Sequence, residues 1–120
     1  MKRCAIEGMH TPLRSVVLEH VLSVVALARP LVAAIQRKDR DLASQVRRAL
    51  SSCGLNIAEG FGTASGNARL RFEAARGSLY EAQAGIRLAV AWGYFTQEQA
   101  DEALVAIDEL GGRVYGLARR

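Results

Sequence analysis

A chain of 120 residues has the length of one domain, and with half of its residues apolar it can bury a single core. Sixteen Lys and Arg against twelve Asp and Glu leave a net charge of +4, unevenly spread: residues 1–92 carry +6 and residues 93–120 carry −2. This balance favours anionic partners, while two prolines are too few for a fold of many short strands. The two cysteines, Cys4 and Cys53, follow no secretory pattern, because Met1-Lys2-Arg3-Cys4 leads into Glu7, Gly8 and His10 and not into an apolar run. A reduced, cytoplasmic protein is expected, with Cys53 as a core thiol.

Residues 1–11 lack any period and read as a flexible N-terminal tail, leaving 12–120 as the domain. Pro12 is suited to open the first helix. Leu13, Val17, Val21, Val24, Ala28, Leu31 and Ile35 then recur at steps of three and four, one face of a helix. Pro30 lies inside this pattern and predicts a kink, or a break into two shorter helices. The most apolar stretch, Val21 to Ile35, is interrupted by Arg29 and Pro30, so no membrane span is expected. Arg37 to Asp41 forms the connection, and Asp39 or Asp41 is suited to cap the second helix.

The second helix carries two stripes. Leu42, Val46, Leu50, Cys53, Ile57 and Phe61 are apolar; Gln45, Arg48, Ser52, Asn56 and Glu59 are polar. Gly60 and Gly62 read as left-handed terminators, and Thr63 to Asn67 as a turn-rich loop. The third helix, from about Ala68 to Trp92, buries Phe72, Ala75, Leu79, Ala82, Ile86 and Ala89 or Val90. A second row, Ala74, Ser78, Glu81 and Gly85, is small enough in places to admit a neighbouring backbone. Gly93 stops this helix, and Thr96 with Gln99 reads as a capping box. The fourth helix carries Ala100, Ala103, Leu104, Ile107, Leu110, Val114 and Leu117, weakened at Gly111-Gly112. The expected fold is all-α, an antiparallel up-down-up-down four-helix bundle.

The segment Gln45-Val46-Arg47-Arg48-Ala49, then Ser52, then Asn56-Ile57-Ala58-Glu59-Gly60, followed by Phe72, Ala75-Arg76-Gly77-Ser78, Glu81 and Gly93-Tyr94, resembles the bacterial four-helix-bundle proteins first noticed in intervening sequences of 23S rRNA genes. The likeness is best over residues 39–95. The family is similar to the accessory variability protein of diversity-generating retroelements, whose wider group forms ring-like pentamers and whose retroelement members bind nucleic acid and a reverse transcriptase. The resemblance thus implies a ring-like homo-oligomer, a pentamer, with an RNA- or DNA-linked role. Three positions depart from the family pattern: Cys53, where isoleucine is usual, the mid-helix Gly54, and Pro30.

Asn56, Glu59, Ser78 and Glu81 are the polar groups of these motifs. A di-metal carboxylate site would need two Glu-x-x-His motifs and two further Glu; the sequence holds one such motif, Glu7 to His10, in the tail, so no metal or other cofactor is expected. The favoured reading is a hydrogen-bonded network of Ser52, Asn56, Glu59, Ser78 and Glu81, with Arg48 or Arg76, between helices two and three. No phosphate loop, nucleophile–base pair or dinucleotide fingerprint is present, so no enzyme is expected.

The basic residues Arg37, Lys38, Arg40, Arg47, Arg48, Arg69, Arg71, Arg76 and Arg87 are candidates for one positive surface around the ends of helices one to three, touching phosphates without reading sequence. The function this suggests is an oligomeric adaptor for RNA or DNA. The alternative is a protein-interaction scaffold, with a protein partner and no nucleic acid, suited to the Ala- and Gly-rich helix faces.

Overall fold

The computed structural model describes residues 5–120, and their side chains from Leu13 onward apart from Ser65. Four helices follow one another: α1 (Ala5–Gln36), α2 (Arg40–Phe61), α3 (Ser65–Trp92) and α4 (Gln97–Ala118). Each packs on the next in the chain, and α1 also packs on α4, enclosing one core within extents of 50 × 31 × 21 Å. Residues 1–4, including Cys4, lie outside the described residues.

The helices form where the apolar period runs. Val17, Val21, Val24, Ala28, Leu31 and Ile35 of α1 are buried, as are Val46, Leu50, Cys53 and Ile57 of α2. In α3 and α4 the predicted faces are buried as well, from Phe72 to Ala89 and from Ala100 to Leu117, with Leu104 partly covered. Leu13 departs from its predicted place and is exposed. In α2, Ala43, Ala49 and Gly60 are also buried, because α2 is covered from two sides, by α1 and by α3.

Several helix ends differ from expectation. α1 begins at Ala5, so Pro12 does not open it, and residues 5–11 are helical. Pro30 neither breaks nor ends α1. It sits on the exposed side together with Ala26, whose carbonyl loses its usual donor but faces water. α3 starts at Ser65, three residues before the predicted start, with Ala64 as an N-cap that offers no side-chain bond. The edge-to-face pair Phe61–Phe72, with centroids 5.4 Å apart, holds this end in place of a cap. Gly60 is not a terminator. It lies inside α2, and Gly62, at φ −99, is the C-cap.

The caps that do form are specific. Asp39 accepts from the Leu42 N–H at 3.0 Å and closes the N-terminus of α2. Thr96 and Gln99 complete a reciprocal capping box, at 3.1 and 2.8 Å. Gly93 stands at the end of α3 with φ 82, the left-handed conformation that suits glycine. The other Asp39 oxygen accepts from the Tyr94 hydroxyl at 3.2 Å, tying the α1–α2 connection to the α3–α4 connection at one end of the bundle. Burial and this bond push the Tyr94 hydroxyl pKa up.

α2 and α3 approach most closely. A Cβ on Gly85 would lie 2.5 Å from Val46 Cγ2, and one on Gly60 would lie 2.5 Å from the Phe72 ring. Between these points Ser52 meets Ser78. As the number rises on α2 it falls on α3, so the two helices run antiparallel. Gly77 and Gly112, by contrast, have open space where a Cβ would stand.

The outer face of α1 is apolar. Its segment Leu13–Gln36 is 24 residues long and holds an 18-residue window of mean hydropathy 1.8, so by length and composition alone it is long and apolar enough to cross a membrane. Its inner side forms the bundle core, while Val16, Leu22 and Val25 remain exposed.

Two measurements check this packing. Gly85→Ala should lower the unfolding free energy by about 1–3 kcal/mol through overpacking against Val46, while Gly112→Ala should raise it by up to about 1 kcal/mol through helix propensity; urea melts of both variants read the opposite signs. Burial raises the Cys53 thiol from 9.0 to about 11. In a Cys4→Ser background the native protein should therefore resist thiol-specific labelling at mildly alkaline pH and react once unfolded. Because the unfolded thiol ionises first, the stability Cys53 contributes is complete below pH 9 and falls as pH rises towards 11.

Candidate nucleic-acid interface

The polar stripe of α2 faces α3 across an open groove of about 430 Å³, lined by Gln45, Arg48, Ala49, Ser52, Ser78 and Glu81. Ser78 Oγ donates to Ser52 Oγ at 2.9 Å. Asn56 Nδ2 donates to the Ser52 carbonyl at 2.9 Å and to its Oγ at 3.2 Å. These three residues are half-buried, and their bonds fix the register of α2 against α3.

The expected network is thus smaller than predicted. Among the described residues no polar side chain is fully buried. Glu59 is exposed, and its one described ion pair is a 3.8 Å contact with Arg71 at the far end of α2. Glu81 is exposed on the rim of the groove. Glu59 stands seven residues beyond Ser52, about 10 Å along the helix, whereas Glu81 borders Ser52 itself. The two carboxylates therefore do not converge. They were grouped in sequence because both fall on helical spacing with the serines, but at these positions the stripe drifts out of the α2–α3 seam.

The basic residues also separate. Arg37, Lys38 and Arg40 surround the α1–α2 connection, at the end marked by the Asp39–Tyr94 bond. Arg69 and Arg71 lie at the start of α3, the whole length of α2 away, about 30 Å. Arg47 turns towards α1 and Arg48 towards α3, so these neighbours belong to different faces. Arg87 lies between α3 and α4. One continuous surface around the ends of three helices does not form within a protomer, because adjacent positions on a helix diverge and the loops lie at opposite ends.

Arg76 leaves the candidate set. Its guanidinium bonds Glu73 at 2.7 Å and the Tyr80 hydroxyl at 3.2 Å, and it lies 4.8 Å from the Tyr115 ring centroid. The Glu73 bond, followed by the Tyr80 bond, holds its charge even more firmly than usual. Arg119 stacks on Tyr115 as well, at 4.6 Å. Arg76 thus joins α3 to α4 by its cation–π contact with Tyr115, while Glu73 and Tyr80 hold its guanidinium from within α3. This cluster was not foreseen; Tyr80 four residues after Arg76 was its local signal, and Tyr115 is brought in by the fold.

The trio at the α1–α2 connection is exposed as a group. Arg37, Lys38 and Arg40 make no ion pair with another described residue, and the carboxylate lying among them, Asp39, is engaged by the Leu42 N–H and the Tyr94 hydroxyl. Asp39 keeps its charge while accepting these bonds, so with exposed Asp41 the connection carries three positive charges against two negative, a net +1.

The polar seam makes a graded prediction. Ser52→Ala removes the common partner of Ser78 and Asn56 and should cost more than Ser78→Ala, with Ser78→Ala near 1 kcal/mol (roughly, for a half-buried bond). Glu59→Ala should stay within about 0.5 kcal/mol. Thermal unfolding of the three variants should give that order.

Comparison with known proteins places these features. Residues 20–116 match the family model described as 23S rRNA-intervening sequence protein. The fold is similar to that of a protein of unknown function from the S23 ribosomal protein family of Bacteroides thetaiotaomicron, with TM-score 0.74 and 17% identity over 90% of this chain and 99% of that one. No curated protein matches the chain.

Proposed function

The chain belongs to the 23S rRNA-intervening sequence protein family, and from that membership we propose that it is a non-enzymatic oligomeric adaptor that holds RNA or DNA through the phosphate backbone. The observation that carries this reading is the exposed trio Arg37, Lys38 and Arg40, gathered at one connection with no ion pair to another described residue. The protomer is read as an up-down-up-down bundle, which brings both connections of that end side by side. Copies arranged as a ring, a pentamer by resemblance to the wider group, would repeat the trio around one rim. Weak single contacts then act together on one polyanion.

Aromatic residues do not alternate with these basic ones, so contact with phosphates and not base stacking is the recognition mode. A scaffold that binds protein alone is the second reading, favoured by the exposed apolar residues of α1.

Fluorescence polarisation with short single- and double-stranded RNA and DNA tests the first reading. Affinity should fall about tenfold or more between about 50 and 200 mM salt, and replacing Arg37, Lys38 and Arg40 by Ser should flatten that dependence while leaving the helical circular dichroism unchanged. Binding that ignores both salt and the triple substitution, or no binding to any of the four probes, overturns the reading.

A further inference from the structure

Opposite sides of the bundle carry complementary surfaces. Between α1 and α2 runs an apolar cleft of about 480 Å³, floored by Val25, Ala28, Val32 and Leu50 and flanked by Arg29 and Arg47. No acidic residue lines it. Between α3 and α4, Leu88 and Val105 stand out into solvent, 51% and 57% exposed. Asp101 and Asp108 border Val105 one turn to either side, and Arg87 of α3 reaches the same surface, leaving two carboxylates against one guanidinium there. The acidity extends over the outer surface of α4, since its first fourteen residues hold Glu98, Asp101, Glu102, Asp108 and Glu109 and no base. Among the described residues none of these five acids forms an ion pair.

The two surfaces also match in height. Val21 packs by Gly54, Val46 by Gly85 and Leu79 by Gly111. Counting along the helices from these contacts, Arg29, Arg47, Ala84 and Val105 fall within about one helical turn of a common level. The α1–α2 seam and the α3–α4 seam lie on opposite sides, because the helices neighbour one another in chain order and α1 closes on α4. Copies standing side by side in the same direction therefore bring cleft and ridge together without sliding. Apolar surface meets apolar surface, and Arg29 and Arg47 meet the α4 carboxylates, a fit that two clefts or two ridges would not give.

We propose that copies of this chain associate head to tail, the α1–α2 cleft of one receiving the Leu88–Val105 ridge of the next. The contact is heterologous, which closes into a ring when the rotation per copy permits. The proposal rests on the self-assembly part of the adaptor reading and assigns the faces that make it. It also leaves the α2–α3 groove of each copy unoccupied by its neighbours, all on one side of the assembly.

Sizing with light scattering tests it, using two variants. Arg29→Glu with Arg47→Glu alters the cleft, and Asp101→Arg with Asp108→Arg alters the ridge; all four positions are exposed, and circular dichroism checks that each variant remains helical. The wild type should contain several chains and each variant a single chain. A mixture of the two should form species of more than one chain, because the unaltered ridge of one variant meets the unaltered cleft of the other, and the two charge-exchanged faces match each other as well. The fourfold variant, with charges exchanged, should regain the wild-type size. A single-chain wild type overturns both the assembly and this assignment. A multi-chain wild type whose size ignores the substitutions, or single-chain variants that fail to pair when mixed, overturns the faces alone, and the salt dependence of nucleic-acid binding is read separately.

Discussion

The close approach of α2 to α3 governs this bundle. At Gly85 and at Gly60 there is no space for a Cβ, because Val46 and the Phe72 ring occupy it. Two such contacts near opposite ends of a helix pair fix both its distance and its register. Ser52 and Ser78 then meet between them at hydrogen-bond length. Small side chains at this seam allow the hydroxyl contact, and a larger residue at either glycine would separate the serines before it disturbed the rest of the core.

Once α2 and α3 form a tight pair, α1 and α4 must cover its remaining apolar sides, and the polar groups sort accordingly. The Asn56–Ser52–Ser78 chain pins the register, because Ser52 Oγ accepts from Asn56 on its own helix and from Ser78 on the next. Arg76 similarly spends its charge on Glu73, Tyr80 and Tyr115 within the protomer. Among the surfaces left for partners are the basic connection between α1 and α2, the apolar surface of α1, and the acidic surface of α4.

The sequence made the helices and most of the core legible, since burial along one helix face repeats at three and four residues. Val17 to Ile35 and Phe72 to Ala89 follow that rule closely. Asp39, Thr96 and Gln99 were legible as caps because capping is a local interaction among a few consecutive residues. Gly60 misled for the opposite reason: glycine near a helix end usually signals a left-handed turn, but here the cause is Phe72, a residue of the next helix. Likewise Glu59 and Glu81 share a period with Ser52 and Ser78, yet period alone does not say where a stripe leaves the seam. The division of Arg47 from Arg48, and the capture of Arg76 by Tyr115, depend on which helices lie to either side.

The apolar outer face of α1 and the proposed contact with phosphates are linked by symmetry. A solitary bundle would keep the Val25 side of the α1–α2 cleft in water, a cost that covering the patch removes. Covering it with the acid-bordered ridge of another copy buries Arg29 and Arg47 together with Asp101 and Asp108, so the charges withdrawn cancel and each protomer keeps the net charge of +4. Assembly in this manner would multiply the Arg37, Lys38 and Arg40 trio without changing the charge that each copy presents. Affinity for phosphates would then depend on the size of the assembly through the number of contacts.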